Sequence, residues 1–272
     1  MIGNIKKMVV QHDSPVIYRL PMGDAMVEMN PLIGKRLHLH HDGVINCINC
    51  GRKTNKSFGQ GHCYPCFTSL AACDMCIMKP ETCHFAAGTC REPEWAMTHC
   101  MQKHYVYLAN SSGVKVGITR GNQVPTRWID QGAAEALPIY RVSTRLQSGL
   151  VEVALKNFVS DKTSWQRMLK GPPDGVDLAA VRDELFEQAD DKLSEIRAGA
   201  GEGAVEPIHD GELYCFEYPV QQYPAKVKSF NFDKTPDVEG ELIGIKGQYL
   251  ILDTGVLNMR KFSGYHLALD SD

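Results

Sequence analysis

No stretch of the chain approaches the ~18–20 consecutive apolar residues that cross a bilayer. The opening MIGNIKKMVVQHDSPV is charged near its start but has no sustained apolar run of about 7–15 residues. Neither a membrane span nor a secretory signal is therefore expected, and the expected compartment is the cytosol. Charge of one sign is also lacking in the total: 29 Lys and Arg stand against 32 Asp and Glu, a net of −3. The total thus says nothing about partners. There is no internal repeat, which excludes solenoids and propellers. Cysteine is almost missing outside one stretch: nine of the ten lie between residues 47 and 100, and Cys215 stands alone. In a reducing compartment so dense a cluster favours metal over disulfides. Cys215, in an apolar run, is expected in a core.

What is present is an ordinary globular composition, 43% hydrophobic and 22% charged, over 272 residues, enough for two or three small units. Charge is unevenly spread. Residues 101–170 carry 10 Lys and Arg against 4 Asp and Glu, whereas residues 171–212 carry 3 against 12. A local excess of this size attracts a polyanion, although a solvated basic face has the same composition.

Along the chain, residues 1–46 alternate apolar and polar positions between Pro and Gly, the punctuation of short strands. Residues 47–104 are a loop-rich, cysteine-rich module. Residues 105–170 begin with a hairpin, HYVYLANSSGVKVGITR, and continue with VPTRWIDQGAAEAL and SGLVEVALKNFVSD as helices around a strand, PIYRVST. Residues 171–205 hold one long acidic amphipathic helix, DLAAVRDELFEQADDKLSEI, with Asp177 as its N-cap, and a Gly-rich linker. Residues 206–272 read as strands between Gly and Pro turns, from which a small β-barrel is expected. The fold class is α+β.

CINC at 47–50 and CYPC at 63–66 are two C-x2-C knuckles, and Cys47, Cys50, Cys63 and Cys66 supply the four soft ligands of a tetrahedral zinc site. Closed coordination by four thiolates makes such a site structural. Cys73, Cys76, Cys83, Cys90 and Cys100 follow, with His84, His99 and His104 nearby. A second zinc is the first expectation, held by Cys73 and Cys76 with two of Cys83, Cys90 and Cys100, or with His84 substituting. An iron–sulfur cluster is the competitor, because thiolate sets of this kind also hold clusters.

YVYLAN at 105–110 followed by KVGIT at 115–119 resembles the two-strand signature of the GIY-YIG superfamily, in its variant form with K-I-G as the second motif. The resemblance covers about 105–160. It implies a helix Arg and a later Glu, positions that Arg127 in TRWIDQ and Glu152 in SGLVEVAL fill. The sequence departs from the pattern at two places: Tyr105 replaces the first-motif glycine and Lys115 the second-motif tyrosine. By the same resemblance Tyr107 activates water as a base; a tyrosine, with an ordinary pKa of about 10, needs a cation beside it for that role, and Lys115 on the neighbouring strand is the candidate. Arg127 offsets phosphoryl charge, and Glu152 holds Mg2+ or Mn2+. Bland roles are open as well: Tyr107 alternates with Val106 and Leu108 as a packing residue would, Arg127 can pair with Asp130, and Glu152 can be an ordinary helix-surface residue. End to end, the stretches KSFGQGHCYPCF, KPETCHFAAGTC, KVGITR, RWIDQGA and IKGQYLIL also resemble an uncharacterised bacterial family joining cysteine knuckles to this kind of domain.

The expectation is a zinc-containing protein that binds RNA or DNA, with metal-dependent phosphodiester cleavage in the central domain. Tyr105, Arg120, Trp128, Arg141 and Arg145 are the expected nucleic-acid contacts, aromatic and basic residues interleaved as strand binding requires. The alternatives are a binding module without catalysis, a cluster-dependent redox protein, and an interaction scaffold built on the acidic helix.

Overall fold

The structure is a computed structural model describing residues 1–160 and 164–272. The N-terminal region forms β1 (Ile2–Asn4), β2 (Val9–Gln11), β3 (Ile17–Met22), β4 (Ala25–Glu28) and β5 (Arg36–Ile45). The cysteine-rich stretch forms only short helices, α1 (Tyr64–Ser69), α2 (Met75–Met78) and α3 (Pro93–His99). The central region holds β6 (His104–Asn110), β7 (Val114–Arg120), α4 (Thr126–Asp130), β8 (Glu135–Val142), α5 (Arg145–Leu155) and α6 (Trp165–Met168). Then come α7 (Leu178–Gln188), α8 (Asp190–Ala200), β9 (Val205–Pro207) and β10 (Tyr214–Cys215). The chain closes with β11 (Asp237–Lys246), β12 (Tyr249–Leu252), β13 (Gly255–Asn258) and β14 (Tyr265–Ser271). Among the described residues no helix is long and apolar enough to cross a membrane.

The C-terminal strands do not close a barrel. They complete a six-stranded sheet, β1-β14-β5-β11-β12-β13, with strands from the N-terminal region. The reason lies in β5: its alternation buries Leu37, Leu39, His41 and Ile45, and its backbone pairs with β14 on one side and β11 on the other. β2, β3 and β4 make a second, three-stranded sheet.

The central sheet runs β10-β8-β6-β7, with β9 also on β8. The hairpin expected from the sequence is present, β6 against β7, with Tyr107 opposite Gly117 and Ala109 opposite Lys115. One face of β6 sends Tyr107 and Ala109 into a core shared with Trp128 and the six-stranded sheet. The other sends Val106 and Leu108 into a core with α5, α7 and α8.

Three helices differ from their expected spans. The segment 124–137 is helical only over α4, because Gly132 (φ 68°) takes the left-handed position that ends it. Glu135–Leu137 then belong to β8. The acidic helix is capped by Asp177, whose carboxylate accepts from the amides of Ala179 and Ala180, but it breaks at Ala189 (φ −107°, ψ 8°) into α7 and α8. Leu178, Leu185, Ala189 and Leu193 are all buried against the central sheet, so these helices cover a core face. Helix α5 ends at Leu155, before the end of the expected helix over 148–161; Asp161 lies outside the described residues.

Candidate functional site

The knuckles lie at the end of β5. Turn hydrogen bonds from the Gly51 amide to the Cys47 carbonyl (2.9 Å) and from Ile48 to Gly61 (2.9 Å) fold the two together. Cys63 caps α1 and Cys66 sits on its first turn. The ligand atoms of Cys47, Cys50, Cys63 and Cys66 all lie within 4.8 Å of one another, with the Cys50 and Cys63 sulfurs 3.7 Å apart. Burial opposes ionisation of Cys47, but amides of Cys50, Cys63 and Asn49 outweigh it and pull the thiol down to about 6. The Asn49 amide favours the Cys66 thiolate, yet burial and the three other thiols push that group up to about 12. One thiol ionises readily and the last resists, as expected of four converging sulfurs that need a cation to lose all their protons. The group could hold a metal ion.

The other five cysteines do not act as one set. Cys73 turns away, its sulfur 3.5 Å from His62 Nδ1, because Asp74 between it and Cys76 is the extended residue before α2. Cys76, Cys83, Cys90 and Cys100 line one small cavity with Asp74 and His84. Asp74, Cys76 and His84 form a second group close enough for a metal. His99 stacks on Trp95 (4.0 Å between ring centres), and His104 is fully buried with Nδ1 on the Gln102 carbonyl (2.7 Å), so neither joins the thiols. Cys215 is exposed, not in a core, because β10 is an edge strand.

Tyr107, Lys115, Arg127 and Glu152, from β6, β7, α4 and α5, line a single cavity of about 450 Å³. Gly117 makes room for the tyrosine: a β-carbon there would lie 2.8 Å from Tyr107 Oη. Gln131 donates to that hydroxyl (3.1 Å), and Trp128 packs edge-on against the ring. Lys115 is 8% exposed, on the same face of β7 as Gly117. Arg127 does not ion-pair with Asp130, whose carboxylate is held instead by Lys7 (2.6 Å) and Gln248 (2.8 Å). Helix α5 starts with a capping box, Thr144 with Gln147, and presses Gly149 onto Pro80 and Glu81 of the cysteine-rich module; a β-carbon there would meet the Glu81 amide at 2.6 Å. That contact sets where α5 carries Glu152.

Tyr107 departs from the expected base. Burial raises its pKa, and Arg127 beside it does not offset this, so the hydroxyl stays protonated near neutrality. Of the expected nucleic-acid contacts, Arg120 and Arg145 line the cavity, and Arg145 donates to the Ile77 carbonyl (2.6 Å) while its buried Nε has no partner. Trp128 is wholly buried and cannot stack on a base. Arg141 is paired with Glu206 on the neighbouring strand, and Tyr105, half-buried, does not line the cavity.

Sequence reasoning missed Lys7, Arg260, Trp95 and Gln131, which also line the cavity. Lys7 and Arg260 come from opposite ends of the chain and carry no local signal. Trp95 and His99 are four apart on α3 and so share a helix face, which was readable. Burial lowers the pKa of Arg260, and Arg127 adds to this. The cavity thus gathers six cationic side chains (Lys7, Lys115, Arg120, Arg127, Arg145 and Arg260) against two carboxylates, Asp130 and Glu152.

Comparisons with curated proteins and with solved structures returned no match. A family model does match, over residues 34–267, which takes in both cysteine sets, the hairpin and the cavity residues except Lys7. The chain belongs to the family described as a protein of unknown function (DUF2797).

Proposed function

We propose that the chain binds nucleic acid, RNA or DNA, and that its central cavity holds a phosphodiester group and cleaves it with a divalent cation, Mg2+ or Mn2+. Zinc at Cys47, Cys50, Cys63 and Cys66 serves the fold. The observation that carries this reading is the convergence of Tyr107, Lys115, Arg127 and Glu152, from four elements, on one cavity with six Lys and Arg. A site so rich in guanidinium groups suits the spread negative charge of a phosphoryl group.

The donor set fits a hard cation. Glu152 on α5 lines the cavity and is the carboxylate assigned to it, and magnesium commonly takes one or two carboxylates with water and phosphate completing its shell. A cation bound there supplies Lewis-acid stabilisation of the phosphoryl oxygens. Arg127 and Lys115 offset charge on those oxygens. Tyr107, kept protonated by burial, donates a hydrogen bond to a phosphoryl oxygen or orients the attacking water. Cys47, Cys50, Cys63 and Cys66 would hold the zinc, and four thiolates would close its coordination and leave it no catalytic position.

Binding without cleavage is the second reading, and the burial of Tyr107 favours it, since a protonated phenol is no base. Glu152→Ala separates the two. With labelled structured RNA and single- and double-stranded DNA, it is expected to abolish Mn2+-dependent cutting and spare retention on a gel. Cutting by the variant at the wild-type rate contradicts cleavage at this site.

A further inference from the structure

The second cysteine set has a geometry different from the first. Cys76 lies on α2, Cys83 follows the turn at Pro80–Thr82, Cys90 lies in the loop before α3, and Cys100 ends α3. No two share a C-x2-C knuckle, because Cys73, the sequence partner of Cys76, faces His62. Local turn geometry therefore does not explain why all four line one cavity.

The spread of the four is informative. In a tetrahedral zinc site with Zn–S bonds of about 2.3 Å, neighbouring sulfurs sit roughly 3.8 Å apart. The first set matches this spacing, with all four ligand atoms within 4.8 Å. Among the described residues, no three of Cys76, Cys83, Cys90 and Cys100 are drawn that close, although Cys76 lies within electrostatic reach of the other three. Asp74 and His84 approach Cys76, but Asp74 is held by Arg91 (2.7 Å) and His84 Nδ1 by Thr89 (2.8 Å). Four thiols brought by separate turns to one cavity, with no three of them packed to zinc spacing, suit a polynuclear cluster, in which each cysteine binds a different iron.

We infer that Cys76, Cys83, Cys90 and Cys100 ligate a [4Fe–4S] cluster, distinct from the metal of the two knuckles. The inference does not rest on the nucleic-acid reading. The cluster would adjoin the cationic cavity, because Cys100 lines both, and the Arg145 amide donates to its carbonyl (2.8 Å).

The test is iron, acid-labile sulfide and zinc analysis of the full chain, purified anaerobically and then reconstituted with ferrous iron and sulfide. The expected result is a brown protein with about four iron and four sulfide per chain and about one zinc. Cys83→Ser with Cys90→Ser is expected to lose the colour and the iron but keep the zinc, and the retained zinc reports that the knuckles still fold. Cys73→Ser is expected to keep both. A colourless protein with about two zinc ions, one that takes up no iron on reconstitution, or iron retained by the double variant overturns the inference. So does loss of iron on Cys73→Ser.

Discussion

At the residue scale the central fact is that Tyr107 rests on Gly117. The glycine of the K-V-G motif leaves the space its ring and hydroxyl occupy, and a methyl there would sit 2.9 Å from Cζ. Gly117→Ala is therefore expected to cost about 1–3 kcal/mol through overpacking, read as a lower urea midpoint, and to weaken whatever the cavity binds. A midpoint equal to wild type contradicts the packing. His104 gives a pH signature. Burial lowers its pKa from 6.5 to about 4, with the Gln102 carbonyl acting the other way. Between those values the unfolded chain takes up a proton that the folded chain refuses, so stability is full above pH 6.5 and falls as pH drops toward 4. The loss amounts to roughly 3 kcal/mol. In His104→Asn, whose amide can still reach the Gln102 carbonyl, urea midpoints are expected to fall less over this window. A parallel fall would assign the acid sensitivity elsewhere.

At the element scale, α5 joins three parts of the site. It carries Glu152, its first residue Arg145 enters the cavity, and Gly149 docks it on the cysteine-rich module. Gly149→Leu is expected to separate α5 from Pro80 and Glu81, lowering the thermal midpoint and reducing the proposed cleavage as much as Glu152→Ala is expected to. Retained activity would detach the module from the site. The hairpin and the two knuckles were legible because each depends on neighbours in sequence: strand alternation around Ser-Ser-Gly, and thiols three positions apart. Cys73 and Cys76 have the same spacing and were misread, since only the turn at Asp74 points them apart. Trp128 was misread for a related reason. An aromatic beside an arginine suits stacking, but on the one-turn helix α4 it faces the core together with Ile129.

At the scale of the whole molecule, the ends of the chain build one sheet. β1 pairs with β14, and β5 lies between β14 and β11, which no local pattern announces; a barrel was expected because the C-terminal strands alone looked sufficient. Removing residues 1–46 is thus expected to unfold residues 237–271, seen as protease sensitivity of the C-terminal part, whereas an independent barrel would stay resistant. The same topology brings Lys7 and Arg260 to the cavity, which is why two of its six cations come from beyond the reach of the motif, near opposite ends of the chain. The most direct measurement is the affinity for labelled RNA and DNA across a salt series, for wild type and Arg127→Ala. If the cavity holds phosphate, the variant binds about tenfold more weakly, and its log–log salt slope is smaller by about 0.7–0.9, one phosphate contact fewer. Equal affinities and slopes would contradict a phosphate in this cavity.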